Sequence, residues 1–179
     1  NNKRTYGQVR AAHALASPYP FVLYSDLYNH SDFIRGVVNG GFSGLLWSPE
    51  VRSCDSTEDL IRRIQSVVFS PQALVNAWFI PNPPWFQVNR EKNIAGEGME
   101  DREAATKICR RYFEWRMRLL PYLYTAFARY RFEGLPPFRA LVMDYPDDPE
   151  VRTIDDAYLM GDALLVAPLT AGHTQREVY

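Results

Sequence analysis

The sequence has 179 residues, which is long enough for one domain with a hydrophobic core. Its 46% hydrophobic and 14% aromatic content excludes a disordered chain, and a formal net charge of −1 gives no reason to expect binding to nucleic acid or to a membrane surface. The two cysteines and three scattered histidines give neither a disulfide framework nor a zinc-ligand spacing, so no metal site is predicted.

Short apolar runs alternate with helical patterns in the first part of the chain. Three of these runs are predicted to be strands: Phe21–Tyr24, Gly44–Trp47 and Ala73–Trp78. A short helix is predicted over Asp32–Val38. A second helix begins at Ser56, because Ser56 and Asp59 have the spacing of a capping box and apolar residues follow at helical intervals. Pro71 lies beyond its end.

A long helical tract follows. Its apolar stripe predicts a helix over Arg102–Glu133, with Gly134 as the stop signal. Pro121 lies inside this tract and is expected to kink or divide the helix, because proline lacks the donor N–H and clashes with the preceding turn.

Beyond Gly134 the pattern changes from helical to β-rich. Strands are predicted at Phe138–Val142 and Ala163–Ala167, so we place a domain boundary between residues 1–134 and residues 135–179. The three strand–helix units before the boundary are too few for a closed (β/α)8 barrel, which needs roughly 250 residues. They are compatible with the last three units of one.

Polar side chains occur near the ends of the three predicted strands of the α/β part. Asp26 follows the first strand, Glu50 follows the second, and Asn76 and Trp78 end the third. In a parallel barrel these ends form the face on which active sites are built. Paired carboxylates suit glycosidic cleavage, although a single carboxylate at a strand end is often a turn former. The pattern is compatible with a carbohydrate-active barrel but gives Asp26 and Glu50 no separate roles.

Four segments in the second half of the chain form a specific set. In chain order they are Arg118–Thr125 (RLLPYLYT), Gly134–Leu141 (GLPPFRAL), Tyr145–Asp148 (YPDD) and Tyr158–Pro168 (YLMGDALLVAP). In order and spacing they resemble segments of glycoside hydrolase family 31, the α-glucosidase and α-xylosidase group. The resemblance implies an α/β fold, namely the C-terminal part of a (β/α)8 TIM barrel followed by the beginning of a β-sandwich domain.

The first half of the chain resembles the active-site half of the same family. Asp26 takes the place of the family's general acid/base, and Arg10 precedes it by sixteen residues, as an arginine does in the family. The segment Trp47–Arg52 replaces the family's Asp-Ile-Gly-Gly-Phe, so that Glu50 takes the Asp position and the glycines are absent. Asn76 stands where the family has a sugar-contacting His. These substitutions are expected to change the preferred sugar or linkage.

The resemblance implies a retaining α-glycosidase that hydrolyses terminal α-linked sugars from oligosaccharides, with Asp26 as its catalytic acid/base and with no metal or organic cofactor. The substrate-binding residues that it implies are Arg10, Trp47, Glu50, Asn76 and Trp78. The family's nucleophile motif is not found in this sequence. The nucleophile is therefore expected upstream of Asn1, in the remainder of the catalytic domain, and the isolated chain is expected to be inactive. The alternatives are a transglycosylase of the same family and a non-catalytic carbohydrate-binding or structural domain.

Overall fold

The computed structural model describes residues 7–10, 21–23, 29–76 and 89–179. Within these residues the helices are α1 (His30–Gly40), α2 (Thr57–Val68), α3 (Arg90–Ile94), α4 (Arg102–Glu133) and α5 (Leu141–Asp144), with 3-10 turns at Gly41–Ser43 and Glu150–Thr153. The strands are β1 (Gly7–Val9), β2 (Phe21–Leu23), β3 (Glu50–Val51), β4 (Leu74–Val75), β5 (Phe138–Ala140), β6 (Tyr158–Met160) and β7 (Leu164–Val166).

The helix predicted from Ser56 is confirmed as α2. The Ser56 hydroxyl accepts a hydrogen bond from the backbone N–H of Asp59 at 3.1 Å, which satisfies one of the donors left open at the helix start. The Asp59 carboxylate does not reach back to Ser56. It accepts instead from the backbone N–H of Asp55 at 3.2 Å and from Nε of Arg63 at 2.9 Å. The N-terminus of α2 is therefore fixed by two acceptors.

The long helix α4 has the predicted bounds, Arg102–Glu133, and ends where Gly134 adopts a left-handed φ of 76°. Pro121 does not divide the helix, because α4 is continuous through that residue, and a kink there stays a prediction. Leu119 and Leu123, on either side of the proline, both pack against the hydrophobic core. Burial on both sides outweighs the loss of one helical hydrogen bond.

Strand pairing changes from parallel to antiparallel along the chain, in agreement with the predicted parallel α/β part followed by a β part. β1 pairs with β2 and β3 with β4, both in parallel, and Leu23 of β2 forms a parallel bridge with Trp47. β6 lies between β5 and β7 in an antiparallel sheet.

The strand predicted at Gly44–Trp47 is confirmed in part. Gly44 has a φ of 64° and closes the 3-10 turn, so it does not belong to a strand. Trp47 forms a parallel bridge with Leu23, whose N–H donates to the Leu46 carbonyl at 2.7 Å and whose carbonyl accepts from the Ser48 N–H at 2.9 Å. The ladder with β4 begins at Glu50. Glu50 consequently lies within β3 and not after a strand.

A single hydrophobic core connects the parallel part and the antiparallel sheet. Its buried members include residues of the parallel part (Val22, Trp47, Val51), α1 (Phe33, Val37, Val38), α2 (Leu60, Ile64, Val67, Val68), α4 (Cys109, Leu123) and the antiparallel sheet (Phe138, Tyr158, Met160). This core supports the strand ends that carry the polar cluster described next.

Candidate active site

A polar cluster forms where the parallel strands β3 and β4 end. The ladder places Glu50 opposite Leu74 and Val51 opposite Val75, and the backbone N–H of Asn76 donates to the carbonyl of Val51 at 2.8 Å. Val51 is completely buried. Since side chains alternate across a strand, Glu50 points to the face opposite Val51.

Glu50 is the centre of this cluster. Asn76 Nδ2 donates to both carboxylate oxygens of Glu50, at 3.2 Å each. Nε of Arg52 forms a hydrogen-bonded ion pair with Oε1 of Glu50. Only 10% of the Glu50 side chain and 16% of the Arg52 side chain are exposed. Because a nearly buried carboxylate needs a charged partner and hydrogen bonds, this geometry keeps Glu50 as an oriented acceptor.

Ser48 connects the segments that precede β3 and β4. Its backbone N–H donates to the carbonyl of Leu23 at 2.9 Å. Its hydroxyl accepts from the backbone N–H of Gln72 at 3.1 Å and lies 3.2 Å from the Gln72 carbonyl oxygen. Ser48 is completely buried. The Ser48 hydroxyl therefore links the segment that precedes β3 to the backbone of Gln72, in the segment that precedes β4.

Arg116 of α4 fixes the turn before β4 from the other side. Its Nη1 donates to the carbonyls of Val68 at 2.8 Å and Ser70 at 2.5 Å, and its Nη2 donates to that of Pro71 at 2.8 Å. Burial lowers the pKa of Arg116 to about 10, so the guanidinium remains charged at neutral pH. A cation at this place complements the negative end of α2 and satisfies carbonyls that the helix leaves open.

Among the residues predicted for the site, the structure brings Glu50 and Asn76 into direct contact. Arg10 is exposed and directly follows β1. Asp26 and Trp78 lie outside the described residues. The sequence interpretation missed Arg52 as a member of the cluster, although a spacing of two residues from Glu50 indicates a shared face wherever the chain is extended.

Trp47 lies in the core. It is 7% exposed, and its ring meets that of Phe33 edge-on with 6.3 Å between the centroids. Gly36 of α1 approaches so closely that a Cβ atom there would lie 2.6 Å from the indole. This position does not support the predicted role of Trp47 as a surface for a sugar ring.

Two further observations concern the described part of the chain only. None of its His, Cys, Asp and Glu side chains form a group of three or more that could hold a metal ion. None of its helices combines the length and the apolarity that crossing a membrane requires.

Comparison with family models matches residues 1–126 to the glycosyl hydrolases family 31 TIM-barrel domain and residues 134–179 to the glycosyl hydrolase family 31 C-terminal domain. The α-xylosidase of Saccharolobus solfataricus is 31% identical over 142 residues, which are 78% of this chain and 17% of that protein. The neutral α-glucosidase AB of Sus scrofa is 51% identical over 55 residues, which are 31% of this chain and 6% of that protein. The chain thus spans a small part of the length of these relatives.

Solved structures show the same relationship. A dextranase of Flavobacterium johnsoniae in complex with isomaltotriose is 28% identical with a TM-score of 0.69, over 99% of this chain and 23% of that chain. A cycloalternan-forming enzyme from Listeria monocytogenes in complex with a pentasaccharide substrate is 26% identical with a TM-score of 0.69, over 89% of this chain and 17% of that chain. Because the family's TIM-barrel model matches more than half of the sequence, the chain belongs to glycoside hydrolase family 31, a family of O-glycosyl hydrolases.

Proposed function

We propose that this chain is part of a retaining α-glycosidase that removes terminal α-linked sugars from oligosaccharides. In this proposal residues 1–134 are the C-terminal portion of a (β/α)8 barrel and residues 135–179 begin a β-sandwich domain. Family membership, the parallel pairing before residue 77 and the antiparallel sheet after residue 137 support it. The observation that carries the proposal is the contact of Glu50 with Asn76 at the ends of neighbouring parallel strands.

Asp26 is the proposed general acid/base. In the sequence it stands three residues after Leu23, the last residue of β2, where a barrel enzyme carries its catalytic groups. In the first step Asp26 protonates the leaving oxygen while a second carboxylate attacks C1. In the second step Asp26 deprotonates the water that hydrolyses the glycosyl–enzyme intermediate. The second carboxylate is proposed to come from a segment of the enzyme outside these 179 residues.

Glu50 and Asn76 are the proposed sugar contacts, together with Arg10 and Trp78. A carboxylate in a fixed orientation accepts hydrogen bonds from sugar hydroxyls, and a carboxamide both accepts hydrogen bonds from them and donates hydrogen bonds to them. Sites that hydrogen-bond hydroxyls discriminate strongly between substrates. Because the relatives include an α-glucosidase and an α-xylosidase, α-glucosides and α-xylosides are the first substrates to test.

The test uses the full-length enzyme and the variant Asp26→Asn. Loss of a general acid/base lowers kcat by about 10²- to 10⁴-fold, while sugar binding changes little. The loss in the first step is smaller for a 4-nitrophenyl glycoside than for a disaccharide, since nitrophenolate leaves without protonation. Asp32→Asn removes an exposed carboxylate of α1 and serves as the matched control. An unchanged kcat in Asp26→Asn would overturn the assignment.

A transglycosylase is the second candidate, favoured by the similarity to the cycloalternan-forming enzyme. The same residues serve it if a sugar hydroxyl, and not water, intercepts the intermediate. Product analysis at increasing acceptor concentration distinguishes the two, because a transglycosylase yields longer oligosaccharides instead of free monosaccharide.

A non-catalytic carbohydrate-binding domain would bind sugars independently of Asp26. A purely structural domain would show no thermal stabilisation by any mono- or oligosaccharide.

A further inference from the structure

We propose that Arg52 is a positioning residue that holds the Glu50 carboxylate in the orientation in which it receives the sugar. The inference rests on the proposed function of Glu50 as a sugar contact and adds a residue to which that proposal gives no role. It concerns only how the carboxylate is held and leaves the role of Asp26 untouched.

Arg52 directly follows β3 and reaches the same side of the chain as Glu50, because its Nε pairs with Oε1 of that carboxylate. The two residues are separated by Val51, whose side chain is completely buried on the other face. Asn76 belongs to this face as well, since it continues β4 by one residue and contacts Glu50 through its amide. Glu50 in β3, Arg52 directly after β3 and Asn76 directly after β4 therefore form one polar cluster.

Charge distinguishes Arg52 from Asn76 as partners of Glu50. Asn76 donates hydrogen bonds from a neutral amide, at 3.2 Å to each oxygen. Arg52 donates from a guanidinium and forms an ion pair with Oε1. With 10% of its side chain exposed, Glu50 is screened little by water, and its charge requires a cation close by.

The length of the Glu50 side chain gives its partners a role. A glutamate has one more rotatable bond than an aspartate, so its carboxylate is oriented less by the backbone alone. The guanidinium of Arg52, paired with Oε1, restricts this additional torsion together with the amide of Asn76.

A double-mutant cycle in the full-length enzyme tests the inference. The kcat/KM for 4-nitrophenyl α-glucoside and α-xyloside is measured for the wild type, Glu50→Gln, Arg52→Gln and the double variant. We expect Arg52→Gln alone to lower kcat/KM by roughly 10- to 100-fold, the effect of misplacing a substrate contact. In the Glu50→Gln background, Arg52→Gln should lower kcat/KM by less than about 3-fold, because no carboxylate remains to be held.

Two further variants separate positioning from general stability. Arg52→Lys keeps the positive charge and should recover part of the lost kcat/KM, and it also serves if Arg52→Gln does not fold. Arg35→Gln removes an arginine from a half-exposed ion pair with Asp155 and should leave the kinetics unchanged.

Equal losses from Arg52→Gln in both backgrounds would show that Arg52 acts independently of Glu50 and would overturn the inference. An unchanged kcat/KM with a lowered melting temperature would assign Arg52 a structural role and overturn it as well. If Glu50→Gln itself has no effect while Asp26→Asn abolishes turnover, the sugar contact of Glu50 is refuted together with this inference, and the acid/base proposal stands.

Discussion

Gly36 lies in the middle of α1 and faces the indole of Trp47. A Cβ atom at this position would lie 2.6 Å from Cε3 and Cζ3 and 2.9 Å from Cδ2 of the ring. Ordinary van der Waals contact begins at 3.4 Å, so three atoms of a rigid ring would have to retreat. Trp47 is 7% exposed and is packed against Phe33, which leaves the ring no space into which it could move.

Two opposing effects determine the stability of Gly36→Ala. Helix propensity favours alanine over glycine by about 1 kcal/mol. Overpacking a filled core costs about 1–3 kcal/mol, and overlap with three atoms of a rigid ring belongs at the upper end of that range. We therefore expect a net loss of about 2 kcal/mol in the free energy of unfolding, which lowers the Tm of the unit that contains α1.

Calorimetry of the full-length enzyme measures this difference. Gly98→Ala is the control, because a Cβ atom there would meet nothing within 4 Å, and its Tm should stay within about 1 °C of the wild type. In a Trp47→Leu background the penalty of Gly36→Ala should shrink, since the overlapping ring is absent. A higher Tm for Gly36→Ala in the wild-type background would refute the packing argument, because it is the result that helix propensity alone gives.

Two further predictions concern His30, which is buried, and Tyr122, which is partly buried. Burial, with the nearby charge of Arg63 second, lowers the pKa of His30 from 6.5 to about 4. The unfolded state then binds more protons between these values, and the domain should lose up to about 3 kcal/mol as the pH falls from 6.5 to 4. His30→Gln should flatten this part of the Tm–pH curve. An unchanged curve would show that the titration of His30 is not the cause of the loss. The Tyr122 hydroxyl donates to the Met160 carbonyl at 2.7 Å and accepts from the Ala163 N–H at 2.9 Å. Tyr122→Phe should lower the free energy of unfolding by about 1–3 kcal/mol. Tyr145 is exposed, so Tyr145→Phe should leave it almost unchanged. Equal Tm values for the two variants would disprove a role of the Tyr122 hydroxyl.

The features that the sequence predicts well are those set by neighbouring residues. The start of α2 follows from the Ser56 cap, and the end of α4 follows from Gly134, whose left-handed φ suits glycine. Short elements were missed. β6 has three residues, and α3 has five residues and depends on a cap by Asn89. Neither is long enough to show a period.

The site was predictable where position along parallel strands decides it. Glu50 and Asn76 were expected on one face with Asp26 and Trp78 because parallel strands end at one face, and Glu50 and Asn76 are in contact. Arg116 binds carbonyls that precede it by 45 to 48 residues, so no local pattern indicates its role. Trp47 shows the remaining limit, because an aromatic residue in a strand suits a core and a sugar platform equally well. The contacts with Gly36 and Phe33 distinguish the two.

The stereochemistry of the product tests the central claim most directly. Proton NMR of the full-length enzyme acting on an α-glucoside or α-xyloside records which anomer of the released sugar appears first, before mutarotation. Double displacement with Asp26 as acid/base predicts that the α-anomer appears first and decays toward equilibrium. The β-anomer as first product would show single displacement with inversion and would contradict the account.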